Sequence, residues 1–181
     1  MTPRILRAPW RPGPAALHVA TDHDGDDHDG DDHDHDGESR EVRVSVTEFT
    51  ADTRTRSLGV AANGLRLRRT WPGTPGAVGM WLWVDPPRRR SGSVSVWTGQ
   101  DALDGFVRRP DHVRIVRAFR GHGSVRATAW DTPGFDAAAV WDAALALITG
   151  DTPWPTARPR TGELRTAEPR TAEPRTGKEA R

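Results

Sequence analysis

The sequence predicts an α+β fold, and three observations lead to that class. Four segments alternate apolar and polar residues or run apolar, as β-strands do. The segments between them space apolar residues three and four positions apart, as amphipathic helices do. The elements follow one another as βαββαβ, with one more helix at the end. That order is the ferredoxin-like split βαβ arrangement, an antiparallel sheet with helices on one face.

Four strands are predicted from their alternating or continuous apolar residues. They lie at residues 41–49, 77–85, 91–97 and 124–130. In the first strand Val42, Val44 and Val46 share one face. In the second strand Trp81 and Trp83 share one face, with Met80 and Leu82 on the other, and periodicity does not say which pair meets the helices. The basic tip Arg88, Arg89 and Arg90 between the second and third strands is expected to be a solvated turn.

Helices are predicted at residues 53–70, 98–119 and 132–150, with a break in the second at Pro110, since proline suits a first helical turn. Thr98 and Asp101 fit an N-terminal cap of the Ser/Thr-x-x-acid type. The apolar residues at helical spacing are Leu58, Ala61, Ala62 and Leu65 in the first helix, Leu103, Phe106, Val107, Val113, Val116 and Phe119 in the second, and Val140, Trp141, Ala144, Leu145 and Ile148 in the third. Arg114, Arg117 and Arg120 are expected on the exposed side.

Composition divides the 181 residues into three zones. Residues 1–40 are Pro-rich and then Asp/His-rich, and residues 151–181 repeat a five-residue RTAEP-like unit, so both are predicted to be disordered tails. Residues 41–150 form the ferredoxin-like domain. The formal charge of +1 hides an acidic block, because residues 22–38 hold nine Asp and one Glu without Arg or Lys. An attraction between this block and the basic domain would be screened beyond about 10 Å in 0.1 M salt.

Several function classes are excluded or disfavoured. The chain has no cysteine, which removes disulfides, thiolate metal sites, iron–sulfur clusters and thiol catalysis. No segment reaches the roughly 18 apolar residues of a membrane span, and the basic, proline-broken N-terminus lacks a signal-peptide core. We therefore expect a cytoplasmic protein without membrane contact. The basic tip lacks interleaved aromatics, so a nucleic-acid partner is not expected.

The predicted domain resembles a known superfamily over residues 41–131. The matching stretch runs from "PGAVGMWLWVD" through "SGSVSVWTGQDALDGFVRRPDHVRIV" to "ATAW", with Trp97 ending a strand and Pro110-Asp111-His112 opening the second helical part. It is similar to the dimeric α+β barrels, in particular antibiotic-biosynthesis monooxygenase-like proteins and their uncharacterised actinobacterial relatives. The resemblance implies a homodimer. An apolar sheet face opposite the helices would also favour one, formed sheet against sheet.

The resemblance implies a small-molecule-binding oxidoreductase, a monooxygenase that acts on a hydrophobic aromatic metabolite without a cofactor. The alternative is a non-catalytic protein of the same fold that binds a ligand or partner. In the haem-degrading branch an Asn, a Trp and a ligating His are expected. Phe106 and Val116 align with the last two, and residues 41–49 contain no Asn, so haem degradation is not expected.

His112 is the candidate catalytic base, because imidazole suits proton transfer at neutral pH, although it could instead cap or pack near Pro110. The candidate substrate pocket is aromatic and comprises Trp97, Phe106, Trp81 and Trp83. A tryptophan that ends a strand is also a common core residue. His122, in a Gly-His-Gly turn, is expected to have no catalytic role.

The acidic block offers weak divalent-metal ligands, namely His23, His28, His33 and His35 with their neighbouring aspartates. Carboxylate and imidazole suit zinc, nickel or copper. Their spacing does not align on a helix, and the nearest calcium-loop pattern, from Asp32, has Arg43 where a bidentate Glu is required. A metal-buffering role for this arm is the third functional hypothesis.

Overall fold

The computed structural model describes residues 4–17 and 41–155. The ten main elements are β1 (Leu6–Arg7), β2 (Arg11–Pro12), β3 (Glu41–Ala51), α1 (Arg54–Arg69), β4 (Ala77–Asp85), β5 (Arg90–Trp97), α2 (Gln100–Val107), α3 (Pro110–Phe119), β6 (Gly123–Pro133) and α4 (Ala137–Thr149). Short 3₁₀ turns lie at Trp71–Gly73 and Pro86–Arg88. No helix among these described residues is long and apolar enough to cross a membrane.

The sheet is antiparallel throughout, in the order β1-β4-β5-β3-β6, with β2 also paired to β4. The four long strands with α1, α2 and α3 form the βαββαβ core, so the ferredoxin-like prediction is confirmed. The strand β3 is an inner strand, and its Val44 is paired with Val96 of β5 and with Trp130 of β6. Residues 4–17, within the arm predicted to be disordered, add β1 and β2 at the β4 edge, while residues 18–40 and 156–181 lie outside the described residues.

The sheet face opposite α1, α2 and α3 is covered from within the chain. In α4, Val140, Ala144 and Ile148 are buried and pack in one cluster with the inward residues of β3 and β5. At the other side of this cluster Trp10 lies 4.2 Å from Trp81, centroid to centroid. The sheet-to-sheet dimer predicted from the sequence assumed that this face was bare. That premise is wrong, because the added C-terminal helix has its own apolar side to bury there.

Two local predictions for the helices fail for identifiable reasons. Thr98 does not cap α2, since Gly99 is the N-cap residue and no side chain bonds there. In α1 the leucines point outward, and Leu58 is 72% exposed. This helix packs instead through its glycines, because a β-carbon on Gly59 would touch the Phe119 ring and one on Gly64 would touch Leu82. The apolar spacing therefore identified the wrong side of α1.

Candidate functional site

Four aromatic side chains meet beneath α2 and α3, at the end of β5. The Trp97 ring lies 5.0 Å from the Phe106 ring, and Phe106 lies 4.9 Å from the His112 ring, centroid to centroid. The Trp71 ring contacts both Trp97, at 4.9 Å, and Phe106, at 5.4 Å. We call Trp71, Trp97, Phe106 and His112 the aromatic cluster. It brings together three of the residues predicted from the sequence.

The local structure explains this convergence. Because side chains alternate along a strand, Ser95 and Trp97 of β5 both face the helices, and the Trp97 indole N–H donates to the Ser95 hydroxyl at 2.9 Å. Phe106 lies in the last turn of α2, and Pro110 opens α3. The break between these helices places His112 in the first turn of α3, next to Phe106.

The aromatic cluster has a closed base and a more open rim. Trp71 and Trp97 are at most 1% exposed, whereas Phe106 and His112 are partly exposed. The Trp71 indole N–H is buried and has no hydrogen-bond partner among the described residues. An unpaired buried donor is uncommon in folded proteins, and the Trp83 indole N–H on the opposite sheet face is unpaired in the same way.

His112 has a defined orientation. Its Nδ1 lies 3.1 Å from the carbonyl oxygen of Val107. A carbonyl oxygen only accepts hydrogen bonds, so Nδ1 carries the proton in this contact. In a neutral ring Nε2 then holds the lone pair and can accept a proton from a ligand at the rim.

Asp111 lies beside His112 as a fixed negative charge. It accepts the His112 backbone N–H at 3.0 Å and pairs with the Arg109 guanidinium at 3.3 Å. Burial raises the pKa of Asp111, but the hydrogen bonds from Arg109 and from the His112 backbone outweigh it and lower the pKa overall. Asp111 therefore stays ionised at neutral pH, and its charge is compensated by Arg109.

The other predicted pocket residues lie elsewhere. Trp81 and Trp83 point to the opposite sheet face, where Trp81 packs 5.7 Å from Trp141 of α4. The four predicted pocket residues thus do not line one common space, because Trp81 and Trp83 of β4 face α4 while Met80 and Leu82 face the helices. The sequence prediction missed Trp71, which lies in the turn after α1. Its one signal was a tryptophan within a turn motif.

A polar site of charged side chains lies at the end of the sheet opposite the aromatic cluster. Arg90 pairs with Glu48 at 3.2 Å and with Asp85 at 2.6 Å, and Arg126 pairs with Glu48 at 2.9 Å. Glu48 is only 3% exposed, and Asp85 is completely buried. The expectation that Arg90 belongs to a solvated turn is therefore wrong, since the side chain points back under the sheet edge toward these carboxylates.

This polar site fastens the end of α4. Arg90 also donates to the Ile148 carbonyl at 2.9 Å, and Arg126 lies 4.4 Å from the centre of the Trp154 ring. The Trp154 indole N–H donates to the Leu147 carbonyl at 2.8 Å. These donors satisfy carbonyl groups that the last helical turn leaves open. An open groove of about 410 Å³ borders the site and is lined by Glu48, Thr50, Arg90, Ser124, Val125 and Arg126.

The predicted metal ligands cannot be placed. His23, His28, His33 and His35 lie outside the described residues. Within residues 4–17 and 41–155 there is no group of three or more His, Cys, Asp or Glu side chains that could hold a metal ion.

No protein-family model and no curated protein sequence matches the chain. Among solved structures it is similar to SnoaB, a cofactor-independent oxygenase from Streptomyces nogalater. The sequence identity is 19%, the match covers 54% of this chain and 97% of that protein, and the TM-score is 0.42. It is also similar to a ferredoxin-fold protein from Listeria monocytogenes related to antibiotic biosynthesis monooxygenases. There the identity is 16%, the coverage 51% and 57%, and the TM-score 0.43.

A third similar structure is LmHde, a heme-degrading enzyme from Listeria monocytogenes, with 16% identity, coverage of 46% and 59%, and a TM-score of 0.39. The chain spans less than half the length of similar structures from Lactobacillus acidophilus and Fusobacterium nucleatum, 44% and 48%. The neighbours include antibiotic-biosynthesis monooxygenase-like, ferredoxin-fold proteins. At these identities and TM-scores, the fold assignment for this chain rests on its own strand order.

The residues do not fit haem. Iron needs a side-chain ligand, and the α3 position that aligns with the ligating histidine is Val116, which has no donor atom. The strand β3, Glu41–Ala51, contains no asparagine. We derive no chemistry through haem for this chain.

Proposed function

We propose that the chain binds a small hydrophobic aromatic molecule at the rim of the aromatic cluster and oxidises it without a bound cofactor. The observation that carries this proposal is the contact between the partly exposed Phe106 and His112 rings, which lie over a base formed by buried Trp97. A flat aromatic ring at the rim would stack on Phe106, with about 0.5–1.5 kcal/mol per pair beyond the buried area. The reaction class comes from the sequence resemblance to antibiotic-biosynthesis monooxygenases.

The proposed chemistry needs few protein groups. His112 accepts the proton of a phenolic hydroxyl through Nε2, and the resulting electron-rich phenolate reduces molecular oxygen itself. The protein supplies orientation and a water-poor surface, which raises the energy of the phenolate relative to bulk solution.

The site is built within one chain. Its residues come from the turn after α1, from β5, from α2 and from α3, and α4 covers the sheet face that a partner would otherwise bury. Binding therefore does not require a sheet-to-sheet partner. We expect sedimentation to give the mass of one chain, 19.9 kDa. A stable dimer would require an interface other than the covered sheet face.

The test measures binding and oxygen uptake separately. A polycyclic phenol such as a dihydroxyanthrone is titrated while tryptophan fluorescence is recorded, and oxygen consumption is followed with an electrode. We expect saturable binding, and uptake that His112→Gln lowers by about 10²–10⁴-fold, the usual contribution of a general base. The matched control is His122→Gln, which removes an imidazole from the turn after α3.

The outcomes separate the two functional alternatives. Binding that Trp97→Leu and Phe106→Leu weaken, without any oxygen uptake, would leave a ligand-binding protein and would rule out the oxygenase. Oxygen uptake equally lowered by His112→Gln and His122→Gln would contradict the assignment of the base. Absence of saturable binding to any phenol of this class would refute the site itself.

A further inference from the structure

Six arginines on the outer side of α1 and α3 and just after α3 have no counterion. All are exposed, and none has a side-chain hydrogen bond or ion pair within residues 4–17 and 41–155. They are Arg54, Arg66, Arg69, Arg114, Arg117 and Arg120. We call this surface the arginine face. Its charge is +6 before any screening.

The same two helices also expose three apolar side chains. Leu58 is 72% exposed, Leu65 is 51% exposed and Val116 is 47% exposed. Because Leu58 and Leu65 are each four residues from an arginine, Arg54 and Arg69 respectively, these side chains form one stripe on α1. The packing of α1 through Gly59 and Gly64 leaves this stripe outward. An apolar stripe framed by unpaired cations is typical of a binding surface.

We propose that the acidic segment of the same chain, residues 22–38, binds to the arginine face. This segment carries ten carboxylates and no cation, so its charge is −10. The two charge sets are complementary in sign and of comparable size. The arginine face of a second chain would not bind here, because each face carries a charge of +6 and the two would repel each other.

The tether brings the two surfaces together. Pro9 accepts a hydrogen bond from the Arg68 guanidinium at 2.8 Å, and the Ala15 N–H donates to the Ala77 carbonyl at 3.0 Å. The chain thus leaves the described N-terminal part near the C-terminal end of α1. The 23 residues from 18 to 40 can span up to about 75 Å when extended, whereas α1 is about 24 Å long. An attached segment of this length acts at an effective concentration of the order of millimolar.

The consequence is competition for the arginine face. A bound acidic segment keeps outside anions, such as an anionic lipid surface, from this part of the domain. Salt weakens the attraction between these carboxylates and the arginines, since the Debye length falls to about 3 Å at 1 M salt. The contact therefore forms at low and physiological ionic strength and dissociates at high salt.

The test uses energy transfer within the full-length chain. The chain has no cysteine, so Gly30→Cys in the segment and Thr55→Cys on α1 give two unique dye positions without a change in charge. We expect efficient transfer at low salt and a loss of transfer at 1 M NaCl. Replacing Arg54, Arg66 and Arg69 with Gln should lower transfer at low salt. The charge-matched control replaces Arg160, Arg165 and Arg170 with Gln and should leave it unchanged.

Two results would overturn the proposal. Equal effects of the α1 and tail variants would mean general charge compaction rather than binding to the arginine face. Transfer that appears only on mixing singly labelled chains would mean contact between chains. Circular dichroism of each variant verifies that the fold is retained.

A second measurement distinguishes the segment from an outside partner. Full-length chain and a variant with all nine segment aspartates replaced by Asn are sedimented with phosphatidylserine-containing vesicles. The proposal predicts that the variant binds more vesicles, because its arginine face is free. Equal vesicle binding by both proteins would show that the acidic segment does not cover the arginine face.

Discussion

Replacing Ile148 with alanine tests whether α4 covers the sheet face that a second chain would otherwise cover. Ile148 is completely buried against the sheet, and its own backbone carbonyl accepts a hydrogen bond from Arg90. The substitution removes three carbon atoms from this contact. At about 0.8 kcal/mol for each buried methylene-sized group, the transfer contribution alone is about 2.4 kcal/mol. The cavity left behind adds to it, so we expect a loss of about 3–4 kcal/mol in the free energy of unfolding.

The assay is urea unfolding followed by tryptophan fluorescence. Trp81 and Trp83 lie in the same buried cluster as Ile148, so their emission reports the loss of this packing. The matched control is Leu58→Ala on the outside of α1, where removal of an exposed side chain should change stability by less than about 0.5 kcal/mol. If Ile148→Ala costs no more than Leu58→Ala, α4 does not cover the sheet, and the reasoning against a sheet-to-sheet dimer fails.

Three further predictions concern the same scaffold. Replacing Arg90 with Met should cost about 1.5–3 kcal/mol of unfolding free energy in urea, because buried Asp85 and Glu48 would each lose a charged hydrogen-bond donor and keep only Arg88 and Arg126; a loss under 1 kcal/mol would contradict this. Burial raises the pKa of Asp85, but the hydrogen bonds and charges of Arg90 and Arg88 outweigh it and lower the pKa below its ordinary value of 3.8. The stabilisation that ionised Asp85 provides is therefore complete above this ordinary value and is lost as pH falls through the lowered pKa. Asp85→Asn should therefore weaken the dependence of the unfolding free energy on pH between these two values. Gly79→Ala should lower the melting temperature and cost about 1–3 kcal/mol of unfolding free energy, because the added methyl group would overlap the Trp10 ring. Gly105→Ala has open space around it and should stabilise α2.

Local pattern determined much of this fold. The two-residue alternation in β3 and the apolar run in β4 defined both strands nearly to the residue, because a strand side chain has only two directions to choose from. Pro110 located the break between α2 and α3, since proline fits the first turn of a helix and not its interior. The sequence also named Trp97, Phe106 and His112, which the fold brings into contact.

Only the tertiary structure decided which surfaces are buried. The leucine spacing of α1 predicted an inward stripe, but α1 packs through the side that carries Gly59 and Gly64, so Leu58 and Leu65 face outward. Arg90 looks like a turn residue, yet it is mostly buried and pairs with Asp85 and with Glu48, which is far away in the sequence. Trp71 joins the aromatic cluster from a turn, where no periodicity marks it. Periodicity reports which side chains share a side of an element, and long-range packing alone determines which side meets the core.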